Sequence, residues 1–196
     1  MTHETEPYRS LEEELIRKPA GWWERLCDGI PELKAMAGTR QPARYHAEGD
    51  VAVHTRLAVL GCPPGCPPDL RWAALLHDVG KPHSTRVDGD KITSHGHPAL
   101  GADMAQTILE RIGMPVSRID RITWVIRHHM FHHSWGLTDP RKVTKRQKRY
   151  LKDPRFPLLL ELVRIDGMAS WGKRHPGDVI AFYTRLRKDV LSETSN

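Results

Sequence analysis

A histidine and an aspartate stand side by side at the end of an apolar run, as His77 and Asp78 in the segment AALLHDVGKP. The spacing of the apolar residues predicts a helix, so the pair lies near its carboxyl end. Burying an imidazole and a carboxylate together is costly unless each is paired or binds a cation. Neighbouring helical side chains point about a quarter turn apart, so both can approach one ion. The carboxylate has two oxygens and can bridge two ions.

Further side chains of metal-binding types lie at the ends or on the inward faces of other predicted helices. In chain order they are His54, His97, His128, His129 and Asp166. Ten of the twelve histidines lie between His46 and His133, and clustered histidine is typical of metal binding. Taken alone, each residue is equally compatible with a core or surface group whose hydrogen bonds are made within the protein or to water. Together, on successive helices, they predict a divalent metal centre of nitrogen and oxygen ligands, suited to Mn, Fe, Co, Ni, Zn or Mg.

The order H…HD…H…HH…D resembles that of the HD-domain metal-dependent phosphohydrolase superfamily. The strings RYHAEGDVAVHT, ALLHDVGKP and HGHPALGADMA are most similar to the C-terminal HD domain of bacterial CCA-adding tRNA nucleotidyltransferases. Residues 44–133 carry the resemblance, and VRIDGMAS around Asp166 adds a weaker motif. We expect no nucleotidyltransferase domain before residue 44, and we interpret Asp88-Gly89-Asp90 as a hairpin loop. We therefore expect a stand-alone HD domain that does not add CCA.

The resemblance implies roles for individual residues. His54, His77, Asp78 and Asp166 would hold one metal ion, and Asp78 would bridge to a second ion held by His97, His128 and His129. Two ions about 3.5–4 Å apart can share a hydroxide nucleophile and bind phosphoryl oxygens. Asp78 and Lys81 are the expected catalytic residues. Lys81, Arg127 and Arg164 are the expected substrate-binding residues, although Lys81 is also compatible with a solvated lysine after a helix end.

Three functions remain open from the sequence. The first is a phosphohydrolase of nucleotides or RNA ends, of the 2′,3′-cyclic phosphodiesterase or phosphatase type, a substrate choice that the resemblance supplies. The second is a nucleoside monophosphatase or nucleotide hydrolase that acts on small molecules. The third is a non-catalytic RNA-binding module with a structural metal site, which would not need a bridging carboxylate.

Apolar residues recur at helical spacing through most of the chain, and strict alternation is scarce. The pattern predicts an all-α fold with one hairpin-like loop in residues 82–96, and the resemblance implies that the fold is a helical bundle of the HD-domain type. We expect a single domain over residues 1–196, with N-terminal helices in 10–36, a metal-site core in about 44–171 and a basic segment in 141–155.

Local signals predict where several helices begin. Ser10 with Glu13 predicts a capping box, and Asp50 and Asp69 predict N-caps of two later helices. One helix is expected from Gly21 to about Met36.

The composition supports one or at most two globular domains, since the 196 residues are 39% hydrophobic and 28% charged. The formal charge of +6 is concentrated in residues 141–155, which contain eight Lys or Arg and one Asp. Such a local run is usually a solvated face, but here it also suggests contact with a polyanion such as RNA. No apolar run is long enough to span a bilayer, so we expect no membrane partner.

Three cysteines are too few for a disulfide framework, and the first ten residues lack the apolar core of a signal peptide. Both features lead us to expect a cytoplasmic protein. Cys62 and Cys66 are interpreted as loop thiols. His46 and Glu48 precede the helix of His54 and are expected to line the mouth of the site or to have a capping or surface role. The metal identity and the oligomeric state stay open.

Overall fold

The computed structural model describes residues 6–171 and 176–193, and most of them are helical. The α-helices are α1 (Pro7–Arg17), α2 (Trp22–Gly29), α3 (Val51–Leu60), α4 (Pro68–Leu76), α5 (Lys81–Ser84), α6 (His97–Arg111), α7 (Val116–His128), α8 (Phe131–Trp135), α9 (Lys145–Leu151), α10 (Phe156–Ala169) and α11 (Gly177–Ser192). Pro31–Met36 and Pro140–Lys142 form short 3-10 helices. The predicted all-α class is confirmed.

The predicted hairpin forms between α5 and α6. Strand β1 (Thr85–Asp88) pairs antiparallel with β2 (Lys91–Ser94), with Thr85 opposite Ser94 and Asp88 opposite Lys91. Gly89 at the turn has a φ of +55°, a left-handed conformation that glycine adopts without strain. The hairpin carries the chain from the His77-Asp78 turn to the start of α6.

The helix predicted from Gly21 to Met36 is broken at Ile30. Its φ of −132° and ψ of 82° lie outside the helical region. Pro31 is the cause, because the ring of a proline disfavours helical geometry in the preceding residue. The prediction of one continuous helix was therefore wrong at this point.

Two of the three predicted helix caps are absent. Asp50 caps α3 as predicted, since its Oδ1 accepts a hydrogen bond from the Val53 N–H at 2.9 Å. The Ser10 capping box is absent because α1 begins upstream, at Pro7. Asp69 makes no cap either: its buried carboxylate accepts hydrogen bonds from Arg118 at 2.7 Å and Arg121 at 2.9 Å. These two pairs tie the start of α4 to α7.

Helix α4 lies at the centre of the bundle and contacts α1, α3, α6, α7 and α10. Its Trp72, Leu75 and Leu76 are fully buried. The side chains that α3, α6, α7 and α10 direct toward the carboxyl end of α4 therefore meet there. Every helix in the described ranges is too short or too polar to span a membrane.

Gly80 allows α6 to begin close to the turn after α4. A Cβ atom at Gly80 would lie 2.6 Å from the His97 carbonyl oxygen and 2.7 Å from the Gly101 nitrogen. Real Cβ atoms do not approach backbone so closely, so only glycine fits without a backbone shift. This close approach places His97 beside Asp78.

Candidate metal centre

The His77-Asp78 pair lies in the turn that follows α4, and both side chains are buried. His77 Nδ1 donates a hydrogen bond to the Ala74 carbonyl at 2.9 Å, which fixes the ring with Nε2 directed away from α4. Asp78 Oδ2 lies 3.3 Å from His77 Nε2. The two side chains thus approach a common point, as their adjacency predicts.

His54 of α3 and Asp166 of α10 meet His77 at this point. His54 Nε2 lies 3.3 Å from His77 Nε2 and 3.0 Å from Asp166 Oδ1. Asp78 Oδ2 is 3.8 Å from His54 Nε2. The structure therefore brings together the four predicted ligands of the first ion from widely separated parts of the chain.

A second cluster forms on the other oxygen of Asp78. His97 Nε2, from the start of α6, lies 3.4 Å from Asp78 Oδ1 and 3.2 Å from His129 Nε2. His97 Nδ1 donates to the Ser94 carbonyl and His129 Nδ1 to the Ile126 carbonyl, both at 2.7 Å. Asp78 is the residue that the two clusters share, because one carboxylate oxygen faces each of them.

The hydrogen bonds fix which ring nitrogens carry protons. A main-chain carbonyl can only accept a hydrogen bond, so Nδ1 of His77, His97 and His129 must each be protonated. In the neutral rings, the Nε2 lone pairs then converge on one another and on Asp78. Neither oxygen of Asp78 accepts a hydrogen bond of normal geometry from the described residues. Buried lone pairs that face each other repel unless a cation lies between them. This donor set fits divalent metal ions.

Burial and the neighbouring charges shift the pKa of several of these groups. Burial, together with the nearby His77 and His97, lowers the pKa of His129 to about 3. Burial raises the pKa of Asp78, but His77 and Lys81 oppose this and hold it well below its usual value. Burial also lowers the pKa of His54, but its hydrogen bonds to Asp166 and Glu48 raise it to about 9. Without metal, His54 is protonated near neutral pH.

Lys81 is buried beside the clusters. Its Nζ lies 2.7 Å from Asp78 Oδ2 and donates to Gln41 Oε1 at 2.7 Å. Gln41 was not predicted, since it lies in a loop 40 residues before Lys81 and no motif marks it. The ammonium group is therefore held beside the carboxylate that the two clusters share.

A cavity of about 570 Å³ opens over the two clusters. One part of its lining consists of charged and metal-binding side chains, namely Asp78, Lys81, His97, His129 and Asp166. Val163, Val179, Pro176 and Met130 form an apolar part, and Tyr45, His46, His132 and His133 also contribute. The cavity can therefore admit a ligand with both a charged and an apolar portion.

The HD domain family model matches residues 56–165, more than half of the chain. The chain belongs to the HD domain family. This HD domain is 32% identical over 151 residues to the multifunctional CCA protein of Azoarcus sp. (strain BH72), an alignment that covers 74% of this chain and 36% of the relative.

Two further relatives have names that mention only CC addition or only A addition. The CC-adding tRNA nucleotidyltransferase of Thermus thermophilus is 31% identical over 84% of this chain and 38% of its own. The A-adding tRNA nucleotidyltransferase of Deinococcus radiodurans is 32% identical over 73% of this chain and 32% of its own. The matched regions span about a third of the length of these relatives.

Three predicted site residues are not brought to the clusters of this HD domain. His128 Nδ1 donates to the Trp124 carbonyl, and its ring lies 4.5 Å from the Trp124 ring and 5.0 Å from the Tyr150 ring, measured between centroids. Adjacent residues at the end of α7 point in different directions, so only His129 reaches the site. Arg127 pairs with Asp103, and Arg164 pairs with Glu161.

Proposed function

We propose that this HD domain is a metal-dependent phosphohydrolase that cleaves phosphoesters of nucleotides or RNA ends, of the 2′,3′-cyclic phosphodiesterase or phosphatase type. The observation that carries the proposal is the position of Asp78, whose two carboxylate oxygens each face a separate group of histidine Nε2 atoms. A carboxylate shared in this way suits a pair of ions next to a substrate cavity. A purely structural metal site would need neither a shared carboxylate nor a substrate cavity.

Two ions would be held in this site. His54, His77, Asp78 and Asp166 would bind the first, and Asp78, His97 and His129 the second. Bound divalent cations supply Lewis acidity toward a phosphoryl group and lower the pKa of water. The protein contributes a rigid set of ligands, because main-chain carbonyls hold three of the four histidine rings in place.

Lys81 would bind the phosphate of the substrate. Its ammonium group lies in the cavity lining and is held by Gln41 and Asp78 at 2.7 Å each. A cation bound to Asp78 would compete with Lys81 for the same carboxylate, which leaves the ammonium group available to a phosphoryl oxygen. Arg127 and Arg164 are not needed for this role, since each is engaged with an acidic neighbour.

The cavity supports a substrate that is larger than inorganic phosphate. Val163, Pro176 and Val179 provide an apolar surface beside the charged groups, and the ring of Tyr45 lies in the same lining. A ribose and a base could occupy this part while the phosphate faces Lys81. The relatives are named for their action on tRNA, which supports a nucleotide or RNA substrate here as well.

The basic segment supports contact with RNA only in part. Four of its basic residues are exposed and have no ion pair among the described residues: Lys142, Lys145, Arg146 and Arg149. In contrast, Arg141 pairs with Asp139, Lys148 with Glu193, and Arg155 with Asp153 and Asp120.

A second candidate function is therefore hydrolysis of small nucleotides such as nucleoside monophosphates. The observation that favours it is that residues 141–155 are not among the described residues that line the cavity. A small substrate would not need this segment, whereas an RNA end would bring further phosphates outside the cavity.

A substrate panel tests the proposal. The protein, loaded separately with Mn²⁺, Zn²⁺ or Mg²⁺, is assayed on 2′,3′-cyclic nucleotides, 3′-phosphorylated RNA oligomers and nucleoside monophosphates. We expect metal-dependent hydrolysis that Asp78→Asn abolishes. Asp69→Asn is a matched control, because this buried carboxylate pairs with Arg118 and Arg121 outside the site. Hydrolysis that persists in Asp78→Asn, or no hydrolysis with any metal, would contradict the proposal.

A further inference from the structure

Glu48 is an acidic residue in the loop before α3 whose side chain has no exposed surface. The sequence places it at the mouth of the site or at the surface, but the structure buries it behind His54. A buried carboxylate is costly unless its oxygens accept hydrogen bonds. Each oxygen of Glu48 does so: the donors are His46 in the same loop, His54 in α3 and the main-chain N–H of Trp171.

The first oxygen joins two histidines. His54 Nδ1 and His46 Nδ1 both donate to Glu48 Oε1, each at 2.8 Å. The two rings are close to perpendicular, with centroids 4.9 Å apart. His46 lines the cavity, whereas His54 directs its Nε2 at His77 and Asp166. One carboxylate oxygen thus orients one ring toward the cavity and the other toward the first cluster.

The second oxygen joins the site to the end of α10. Glu48 Oε2 accepts a hydrogen bond from the main-chain N–H of Trp171 at 2.9 Å. Trp171 follows α10, the helix that carries Asp166, and Ser170 between them lines the cavity. Glu48 therefore connects the loop before α3 to the carboxyl end of α10, the two elements that flank the first cluster.

We infer that Glu48 is a positioning residue that sets the ring orientation of His54 toward the first metal ion and of His46 toward the cavity. The inference rests on the metal centre proposed above. A carboxylate that accepts the Nδ1 proton of a ligating histidine fixes its tautomer, leaves Nε2 for the metal and makes that nitrogen a stronger donor.

The geometry also argues that Glu48 is not itself a ligand, although His46, Glu48 and His54 lie close enough to hold an ion. Oε1 already accepts two N–H groups, and Oε2 accepts a third. An ion in this position would displace at least two hydrogen bonds in a buried place. It would also displace the proton on His54 Nδ1, and the hydrogen bond of that proton to Glu48 orients the ring.

Metal titration of Glu48→Gln tests the inference. Glutamine keeps the size of the side chain but removes its charge and one acceptor. We expect the affinity for one of the two Zn²⁺ ions, the one that His54 would bind, to fall about 10- to 100-fold, with the same number of ions bound per chain at saturation. Asp69→Asn, the matched buried carboxylate, should leave the Zn²⁺ affinity unchanged even where it lowers the melting temperature.

The outcomes separate this inference from the proposed function. If wild type binds Zn²⁺ tightly and Glu48→Gln binds it equally well, Glu48 does not position a ligand, and the metal centre stands. If Glu48→Gln binds one ion fewer even at saturation, Glu48 is a ligand and the inference is wrong. A wild-type protein that binds no Zn²⁺ would overturn both.

A second measurement needs no Glu48 variant and so does not depend on its folding. Long-range ¹H–¹⁵N spectra of the histidine rings report which nitrogen carries the proton in the Zn²⁺-loaded wild type, with the His54 signals assigned by their loss in His54→Gln. We expect His54 to keep its proton on Nδ1 and to bind Zn²⁺ through Nε2. A His54 ring with its proton on Nε2 would overturn the inference.

Discussion

His97 Nε2 and His129 Nε2 face each other at 3.2 Å, although each ring already donates its Nδ1 proton to a main-chain carbonyl. A proton between the two nitrogens could relieve the repulsion, but burial lowers the pKa of both rings, that of His129 to about 3. A shared proton is therefore disfavoured near neutral pH. The pair is instead prepared for a metal cation, which binds neutral imidazole.

Metal affinity should rise with pH. Hydrogen bonds to Asp166 and Glu48 outweigh the effect of burial and raise the pKa of His54 to about 9, so His54 must lose a proton before its Nε2 can bind an ion. Below that pKa the affinity should increase roughly tenfold per pH unit, and metal binding should release about one proton. Calorimetric titrations with Mn²⁺ at several pH values, in buffers of different ionisation enthalpy, measure both quantities. An affinity independent of pH between about pH 6 and pH 8 would contradict this assignment of the His54 proton.

Gly80→Ala should damage the second cluster. The added Cβ would lie 2.6 Å from the His97 carbonyl oxygen, so α6 must move away from Asp78. We expect the free energy of unfolding to fall by about 1–3 kcal/mol, and we expect the affinity for one of the two metal ions, the one at His97 and His129, to fall. Denaturant unfolding and metal titration measure the two effects. Gly177→Ala is the control, because, apart from its chain neighbours and its own helix backbone, no atom of the described residues lies within 4 Å of the added Cβ.

The basic segment should matter for RNA but not for small esters. Replacing Lys142, Lys145, Arg146 and Arg149 with Gln should weaken binding of a single-stranded RNA. If all four contact phosphates, the slope of log affinity against log salt should become shallower by about 3, at about 0.7 per phosphate contact. Hydrolysis of a nitrophenyl phosphodiester should stay unchanged, since the ligands and Lys81 are intact.

The salt slope separates the RNA-end substrate from the small-nucleotide substrate. An unchanged salt slope in the fourfold variant would favour the small-nucleotide function over the RNA-end function. Arg17→Gln, an exposed arginine outside the segment, is the control and should leave the slope nearly unchanged.

The three cysteines should differ in reactivity. Burial raises the pKa of Cys62 to about 12 and also raises that of Cys27. The thiolate is the reactive form, so iodoacetamide should modify the more accessible Cys66 first in the folded protein. Mass spectrometry after a time course measures the order, and unfolding in denaturant should remove the difference. Faster modification of Cys62 than of Cys66 would contradict the burial of that thiol.

Much of the site could be predicted because polar residues on apolar helices are costly without a partner. This reasoning singled out His54, His77, Asp78 and Asp166, and the structure brings all four together. The resemblance assigned both His128 and His129 to the second ion, whereas the packing of α7 brings only His129 to the site. Tertiary contacts set the rotation of α7 about its axis, and the local sequence pattern does not determine it.

Residues in loops were the hardest to place from the sequence. Gln41 and Glu48 lie outside the regular helices, so no periodicity indicates their direction. Lys81 lies 40 residues from Gln41, and Trp171 lies 123 residues from Glu48. Even His54, only six residues after Glu48, belongs to a helix whose packing the loop sequence does not indicate. The helical class was predictable because a repeated apolar spacing needs no such long-range information. The break at Ile30 was missed although Pro31, its local cause, was visible in the sequence.

The position of bound metal tests the central claim most directly. Crystals of the protein soaked in Mn²⁺ would be measured near the manganese absorption edge, and the anomalous difference map would locate each ion. We expect two peaks on either side of the Asp78 carboxylate, one against His54, His77 and Asp166 and the other against His97 and His129. Peaks only elsewhere on the protein, or an Asp78 carboxylate that contacts no ion, would contradict the account.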